Sequence, residues 1–286
     1  MSKGRTRAGV QLLLMAANPI KRRILREMTE HPLDAGPGRE YRVTAGGREV
    51  LFVGFVVERW LQSAPQGPLA FGSQEAERAV ATLAEAWSTT VMHALAREAL
   101  SFGELHGLVE GLGKRALARH LAAMQAAGLA EEFNDGNGKT LYAITDWLRA
   151  GIAPLIASAR FERREPQEGM VPIDALDVEA GFRCSLHFVE LPRQLSGACR
   201  LGINLEEDDE SGCLTGVTAK IEQGRVVSCD GGLDGKADAW AAGSAGDWLD
   251  TVVEPDAQRV RTGGDKWLTR AVLDSLHTAL FGVPVL

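Results

Sequence analysis

The sequence predicts an α+β multidomain chain: a winged helix-turn-helix (all-α with a β-hairpin wing) followed by a C-terminal α+β domain. Three observations carry this. Between Ser73 and Phe161 the apolar spacing runs helix, helix, turn, helix, hairpin, helix. From Phe182 onward it changes to two-residue alternation punctuated by turns and closed by helices. Charge divides in the same region: residues 1–168 carry 21 Lys/Arg against 19 Asp/Glu, net +2, and residues 169–286 carry 10 against 19, net −9. The chain total of −7 alone argues against a nucleic-acid binder. The division lifts that objection for the first part.

The N-terminus imitates a secretory leader, with Lys3, Arg5 and Arg7 ahead of Val10–Ala17, but Gln11 interrupts the apolar run. Asn18-Pro19-Ile20-Lys21-Arg22-Arg23 then stands where a small-residue cleavage site belongs, so an amphipathic helix of a cytoplasmic protein is expected. The apolar run Val50–Val57 is far short of the ~18 residues of a membrane span.

In the central part, Ala76, Val80, Leu83, Trp87, Val91 and Leu95 predict one amphipathic helix capped by Ser73. A short helix follows from about Phe102, with Phe102, Leu105 and Leu108 pointing inward. Gly111-Leu112-Gly113 turns into a third helix, Lys114–Ala127, which Gly128 stops. Leu129–Phe133 and Lys139–Ile144 form a hairpin around Asp135-Gly136 and Asn137-Gly138, and Thr145 caps a closing helix bearing Trp147, Leu148, Ile152, Leu155 and Ile156.

On a helical wheel of the third helix, Leu117, Leu121 and Met124 fall within about 40° of one another and form the core face. Arg115 and Arg119 fall nearly opposite, Lys114 and His120 flank the apolar stripe, and Ala118, Ala122 and Ala123 leave the surface smooth. Two outward guanidinium forks suit guanine edges or phosphates; an ordinary solvated helix face is the alternative, and the helix's third place in the order favours groove contact. Lys114, Arg115, Arg119, His120 and Lys139 are the candidate DNA-binding residues. Against this, the hairpin carries Glu131, Glu132 and Asp135 with Lys139 its single cation, poor chemistry for approaching phosphate.

Residues 76–162 resemble the HxlR-type winged-helix transcriptional regulators of bacteria. The resemblance rests on Trp87, Leu95, Phe102-Gly103-Glu104-Leu105, Leu117, Leu121, Gly128-Leu129 and Leu141-Tyr142-Ala143-Ile144-Thr145. It implies sequence-specific binding of double-stranded DNA, with the third helix in the major groove and the terminal helices making a dimer. Residues 9–62 look like a second, shortened copy. An offset of 67 sets Ala17, Ile20, Ile24, Met28 and Leu33 on Ala84, Trp87, Val91, Leu95 and Leu100; an offset of 101 sets Tyr41-Arg42-Val43-Thr44 on Tyr142-Ala143-Ile144-Thr145. The first copy therefore lacks 34 residues, and Asp34-Ala35-Gly36-Pro37-Gly38-Arg39 bridges the gap. Residues 1–65 are expected as this truncated repeat, bracing residues 73–165 as an intrachain pseudo-dimer through the apolar helix of Val50, Leu51, Phe55, Val56, Val57 and Trp60; a homodimer is the other arrangement.

In the acidic part, residues 170–286, a first strand is expected with Phe182, Cys184, Leu186 and Phe188 facing one way. Cys199, Leu201, Ile203 and Leu205 give a second, Glu206–Gly212 an acidic turn, Thr215–Ile221 a third, and Gln223-Gly224 turns into a fourth, Arg225–Cys229. Ala237–Trp240 suggests a fifth; Ser244 and Asp247 form a capping box, and Gly263-Gly264-Asp265 leads into a final helix. The order resembles the sterol carrier protein type 2 family over about 180–282, through Ala237-Asp238-Ala239-Trp240, Gly243-Ser244, Asp247-Trp248 and Gly264-Asp265. That implies an apolar tunnel holding a lipid-like ligand, for which Phe182, Leu186, Phe188, Trp240, Trp248, Trp267, Leu268 and Leu273 are the candidate lining; plain core filling is the alternative.

Catalysis finds no constellation. Gly111-Leu112-Gly113-Lys114-Arg115-Ala116 follows a helix rather than the strand a dinucleotide fingerprint needs, and Gly243-Ser244-Ala245-Gly246 is not a nucleophile elbow. Cys184, Cys199, Cys213 and Cys229 include no closely spaced pair, so neither a metal site nor a cofactor is expected. The expectation is a ligand-responsive bacterial DNA-binding transcriptional regulator that senses an apolar small molecule in its C-terminal domain. A carrier or small-molecule-binding protein, with the winged helix only a dimerisation scaffold, is the rival.

Overall fold

A computed structural model describes residues 6–7, 13–14, 33–34, 40–41, 44–164, 170–204, 214–233, 235–257 and 259–282. The architecture is mixed α and β. The chain divides into two compact units, Met1–Val171 and Pro172–Leu286. The basic stretch around Lys21, Arg22, Arg23 and Arg26, the loop Ala35–Arg39, and Leu205 to Cys213 lie outside the described residues.

In the first unit, β1 (Thr6–Arg7) pairs in parallel with β6 (Met170–Val171), and β2 (Leu33–Asp34) pairs antiparallel with β3 (Glu40–Tyr41). Leu13 lies in a described helical pair and is fully buried. Helix α1 (Ala45–Gln62) starts where the Thr44 hydroxyl accepts the Gly47 N–H at 3.1 Å. It buries Val53, Val56, Val57, Trp60 and Leu61; of the other residues expected on its bracing face, Val50 and Leu51 are half-buried and Phe55 is exposed, because the apolar run is wider than the side of the helix that packs.

The long helix expected from Ser73 is two helices. Ser73 caps α2 (Gln74–Ser88) through the Ala76 N–H, as its sequence requires. The run Ser88-Thr89-Thr90 then ends it: the Thr89 hydroxyl turns back to the Glu85 carbonyl at 2.8 Å, and Thr90 takes a left-handed φ of 58°. Helix α3 (Val91–Arg97) resumes beyond, and because both pieces keep their apolar residues inward, the three-and-four spacing survives the break. Helix α4 (Phe102–Leu108) opens with a Ser101/Glu104 capping box. Leu105 is buried and Phe102 half-buried, but Leu108 is exposed; the helix ends there and extended Val109 takes the inward position.

Helix α5 (Lys114–Ala126) buries Leu117, Leu121 and Met124. Gly128, at φ 74°, closes it: the Leu129 N–H reaches the Met124 carbonyl and the Gly128 N–H the Gln125 carbonyl, the paired bonds of a glycine stop. Strands β4 (Ala130–Asn134) and β5 (Thr140–Ile144) form the hairpin, whose turn is held by Asp135 Oδ1 accepting from the N–H groups of Asn137 and Lys139. Leu100 adds a one-residue bridge to Tyr142. The closing helix also divides, into α6 (Asp146–Ala150), capped by Thr145, and α7 (Ile152–Arg164). Gly151 sits between them against Leu148 and Leu83, and Pro154 is tolerated in the first turn of α7, where its missing N–H costs little. Helices α1 and α7 pack antiparallel: Trp60 near the end of α1 meets Trp147 just before α7, while Glu49 near its start meets Arg160 and Arg164 near the end of α7.

In the second unit, the strand expected over Phe182–Phe188 is helix. A capping box of Asp174 with Asp177 starts α8 (Ala175–Ser185), and a 3-10 turn, Leu186–Phe188, follows. Ala175, Val178, Phe182 and Leu186 are all buried, a helical spacing that extends N-terminal of the alternating residues and wins over them. The remaining strands form a five-stranded sheet in the order β11-β10-β7-β8-β9: β7 (Gly197–Asn204), β8 (Leu214–Glu222), β9 (Arg225–Gly231), β10 (Ala239–Gly243) and β11 (Arg261–Gly264). Only β7 and β10 run parallel. The β8–β9 turn takes positive φ at both Gln223 and Gly224, the mirror-image turn that suits strand twist; a Cβ on Gly224 would collide with the Leu191 carbonyl oxygen. Cys199, Leu201, Ile203, Val217, Ala219, Ala239 and Ala241 point into the core with α8, α9 (Ala245–Val253) and α10 (Lys266–Phe281). Ser244 caps α9 with Asp247 in the box its sequence predicts.

Candidate nucleic-acid interface

The cationic face of α5 is built by default. With Leu117, Leu121 and Met124 committed to the core, a 3.6-residue period leaves Lys114, Arg115, Ala118, Arg119 and Ala122 outside, and all five are exposed. Among the described residues, none of Lys114, Arg115 and Arg119 has a hydrogen bond or ion pair, so three cations stand together with their donors free. No acidic residue lies between Lys114 and Ala127 to neutralise them.

His120 does not join this face. It is 3% exposed, with Nδ1 3.4 Å from Glu85 Oε1 and Nε2 3.5 Å from Thr89 Oγ1, and it seats α5 against the end of α2. Burial pushes its imidazole below the ordinary histidine range, and the Glu85 carboxylate opposes that shift. The wheel places His120 at the edge of the apolar stripe; tertiary packing draws it fully inside.

Lys139 is exposed but engaged. Its ammonium donates to Glu104 Oε1 at 2.8 Å, tying the hairpin to the start of α4. The same Glu104 carboxylate accepts from the Ser101 hydroxyl at 2.6 Å and the Ser101 N–H at 2.9 Å. The hydrogen bond from Lys139 and then those from Ser101 hold the Glu104 carboxyl down to about 2. Glu104 is therefore a residue the candidate set omits, although Ser101-Phe102-Gly103-Glu104 is a legible capping box. On the hairpin's outer strand, Glu132 accepts from Gln125 of α5 at 3.3 Å, so acidic groups flank the cationic helix.

The eight candidate ligand residues fall into two sets. Phe182 and Trp248 meet edge to face at 4.7 Å, and the Trp248 indole donates to the Gly202 carbonyl at 2.8 Å; Leu186, Leu268 and Leu273 are buried in the same unit, and Phe188 is half-buried. Trp240 and Trp267 lie outside this core, 38% and 62% exposed. Trp240 alternates with the inward Ala239 and Ala241 and covers Gly263 on the other face of the sheet, where a Cβ would stand 2.5 Å from the ring. Trp267 comes at the second position of α10, beside its Asp265 cap.

One charged cluster at the edge of the core, around buried Glu179, gave no sequence signal. Glu179 of α8 accepts from Arg183 Nε at 3.0 Å and from the Thr215 hydroxyl at 2.8 Å, and the Arg183 guanidinium lies on bare Gly231. Among the described residues no helix is long and apolar enough to cross a membrane, and no group of three His, Cys, Asp or Glu side chains is placed to hold a metal ion. Comparison of the chain with protein-family models, with curated proteins and with solved structures found no match.

Proposed function

We propose that the protein is a ligand-responsive bacterial transcriptional regulator of the cytoplasm, which reads double-stranded DNA with α5 and senses an apolar small molecule in its C-terminal unit. The observation that carries the reading is the free cationic face of α5: Lys114, Arg115 and Arg119, exposed and unpaired among the described residues, on a helix whose opposite side is locked in the core. Its place directly after α4 and ahead of the β4–β5 hairpin supports reading it as the recognition helix of a winged helix-turn-helix, where such a helix enters the major groove and guanidinium forks reach guanine edges. The C-terminal unit, read as sterol-carrier-like, supports the sensing role through its sheet covered by three helices and its aromatic pair Phe182 and Trp248. Ligand binding there would bias how α5 is presented by shifting an existing equilibrium.

The test is the double variant Arg115→Ala/Arg119→Ala. It should keep its thermal transition and lose retention of specific duplex in mobility-shift assays. Unchanged retention would falsify the assignment.

One observation favours the rival, a small-molecule carrier whose winged-helix part is only a dimerisation scaffold: Lys139 is committed to Glu104, which leaves the hairpin with no cation for phosphate. Salt dependence of DNA affinity separates the two. A reader loses affinity steeply, with a slope of about 0.9 per phosphate neutralised, and a scaffold shows no specific affinity to lose.

A further inference from the structure

We infer that one chain reads a single asymmetric stretch of duplex, as a 1:1 complex, and not the inverted repeat that a pair of reading helices requires; this rests on α5 being the reading helix. The first support is a pair of matching strand contacts. Leu33 pairs antiparallel with Tyr41, and Leu100 pairs antiparallel with Tyr142. The offsets that relate the two copies in sequence, 67 for the first strand and 101 for the second, carry one contact onto the other. The partners lie 8 residues apart in the first copy and 42 in the second, so the excised 34 residues fall between two strands that still pair. In the second copy that interval holds α4, α5 and β4. In the first, five residues join Asp34 to Glu40, too few for a 13-residue helix such as α5. Beyond the second strand the two copies match again: Thr44 caps α1 through the N–H three residues on, as Thr145 caps α6. The first copy thus keeps its frame and has no place for a reading helix between those strands.

The second support is the face of α7. Its apolar side is covered within the chain by α1, with the tryptophan pair Trp60 and Trp147 near one end of the contact and Glu49 between Arg160 and Arg164 near the other. A second chain would have to displace α1 to pair there. Dimeric readers present two such helices to half-sites about 10 base pairs apart. A chain with one reading helix and that helix face already filled presents one.

The experiment is selection of full-length protein on a random-sequence duplex library, followed by sedimentation of the complex with the most enriched duplex. The expected result is a contiguous motif without two-fold symmetry and one chain per duplex. The same duplex should fail to bind Arg115→Ala/Arg119→Ala. An inverted repeat with two chains per duplex overturns the inference and leaves DNA reading intact. Full retention by the double variant places the reading elsewhere than α5 and also overturns it. No enriched sequence of any symmetry overturns the regulator reading itself, and this inference with it.

Discussion

Trp60 and Trp147 each donate an indole N–H to the other's main-chain carbonyl oxygen, at 2.8 and 2.9 Å, with their rings stacked at 4.7 Å and 12°. Each ring therefore satisfies a buried carbonyl at the end of the opposing segment, and neither indole nitrogen is orphaned in the core. The exchange fixes the antiparallel placement of α1 on α7, because a slide of one helical turn would break both bonds together.

Trp60→Phe and Trp147→Phe should each cost about 1–3 kcal/mol, since each removes a buried hydrogen bond and weakens the stacked pair, while the carbonyl left behind keeps another donor, the Gly151 N–H for Trp147 and Ser63 for Trp60. The double variant should cost less than the two separately, because each substitution already weakens the shared stack. Unfolding of the first unit, followed by hydrogen exchange at α1 amides, measures all three. Strict additivity would show that the two bonds act independently.

Glu104→Gln should release Lys139. A carboxyl held down to about 2 contributes stability that is complete above the unfolded carboxylate pKa of about 4.3 and is lost as pH falls toward about 2. Side-chain NMR titration of wild-type Glu104 should show that midpoint. In DNA binding, freed Lys139 should steepen the salt slope by about 0.9. An unchanged slope would show that the hairpin stays clear of phosphate.

His120 should make the first unit less stable in mild acid. Its folded pKa lies below the unfolded value near 6.5, so its contribution is present above that value and is lost as pH falls, when the unfolded state takes up the proton first. Thermal transitions at pH 7.5 and 5.5 should differ for wild type and differ less for His120→Asn. Equal shifts in the two proteins would assign the acid response to another group.

Cys199 should be inert in the folded protein. Burial in the sheet core pushes its thiol up to about 12, which leaves almost no thiolate at neutral pH. Mass spectrometry after iodoacetamide at pH 8 should find Cys199 unmodified until denaturant is added. Rapid labelling of the native protein would show that the core around β7 opens.

Much of the fold is legible residue by residue. Ser73, Thr145, Ser244 and Gly128 act where the sequence places them, because caps and left-handed stops depend on two to four neighbouring residues. Leu117, Leu121 and Met124 are legible for the same kind of reason, as is the outward position of Arg115 and Arg119, since a helix's period fixes both sides at once. The strand expected over Phe182–Phe188 fails because four alternating residues also fit one side of a helix, and the Asp174/Asp177 box upstream decides the matter. The breaks at Thr90 and Gly151 are invisible to periodicity because both halves of each helix keep facing the core.

The sequence by itself determined the order of most elements, their caps and turns, and which side of α5 carries charge, because these follow from local backbone chemistry and a single period. Tertiary structure alone decided which polar groups are spent internally. His120 is drawn against Glu85 and Thr89, Lys139 is bound by Glu104, Trp240 and Trp267 are turned outward, and Trp60 finds Trp147 from 87 residues away. Those pairings join residues distant in the chain, and only packing in three dimensions brings a donor within reach of its acceptor.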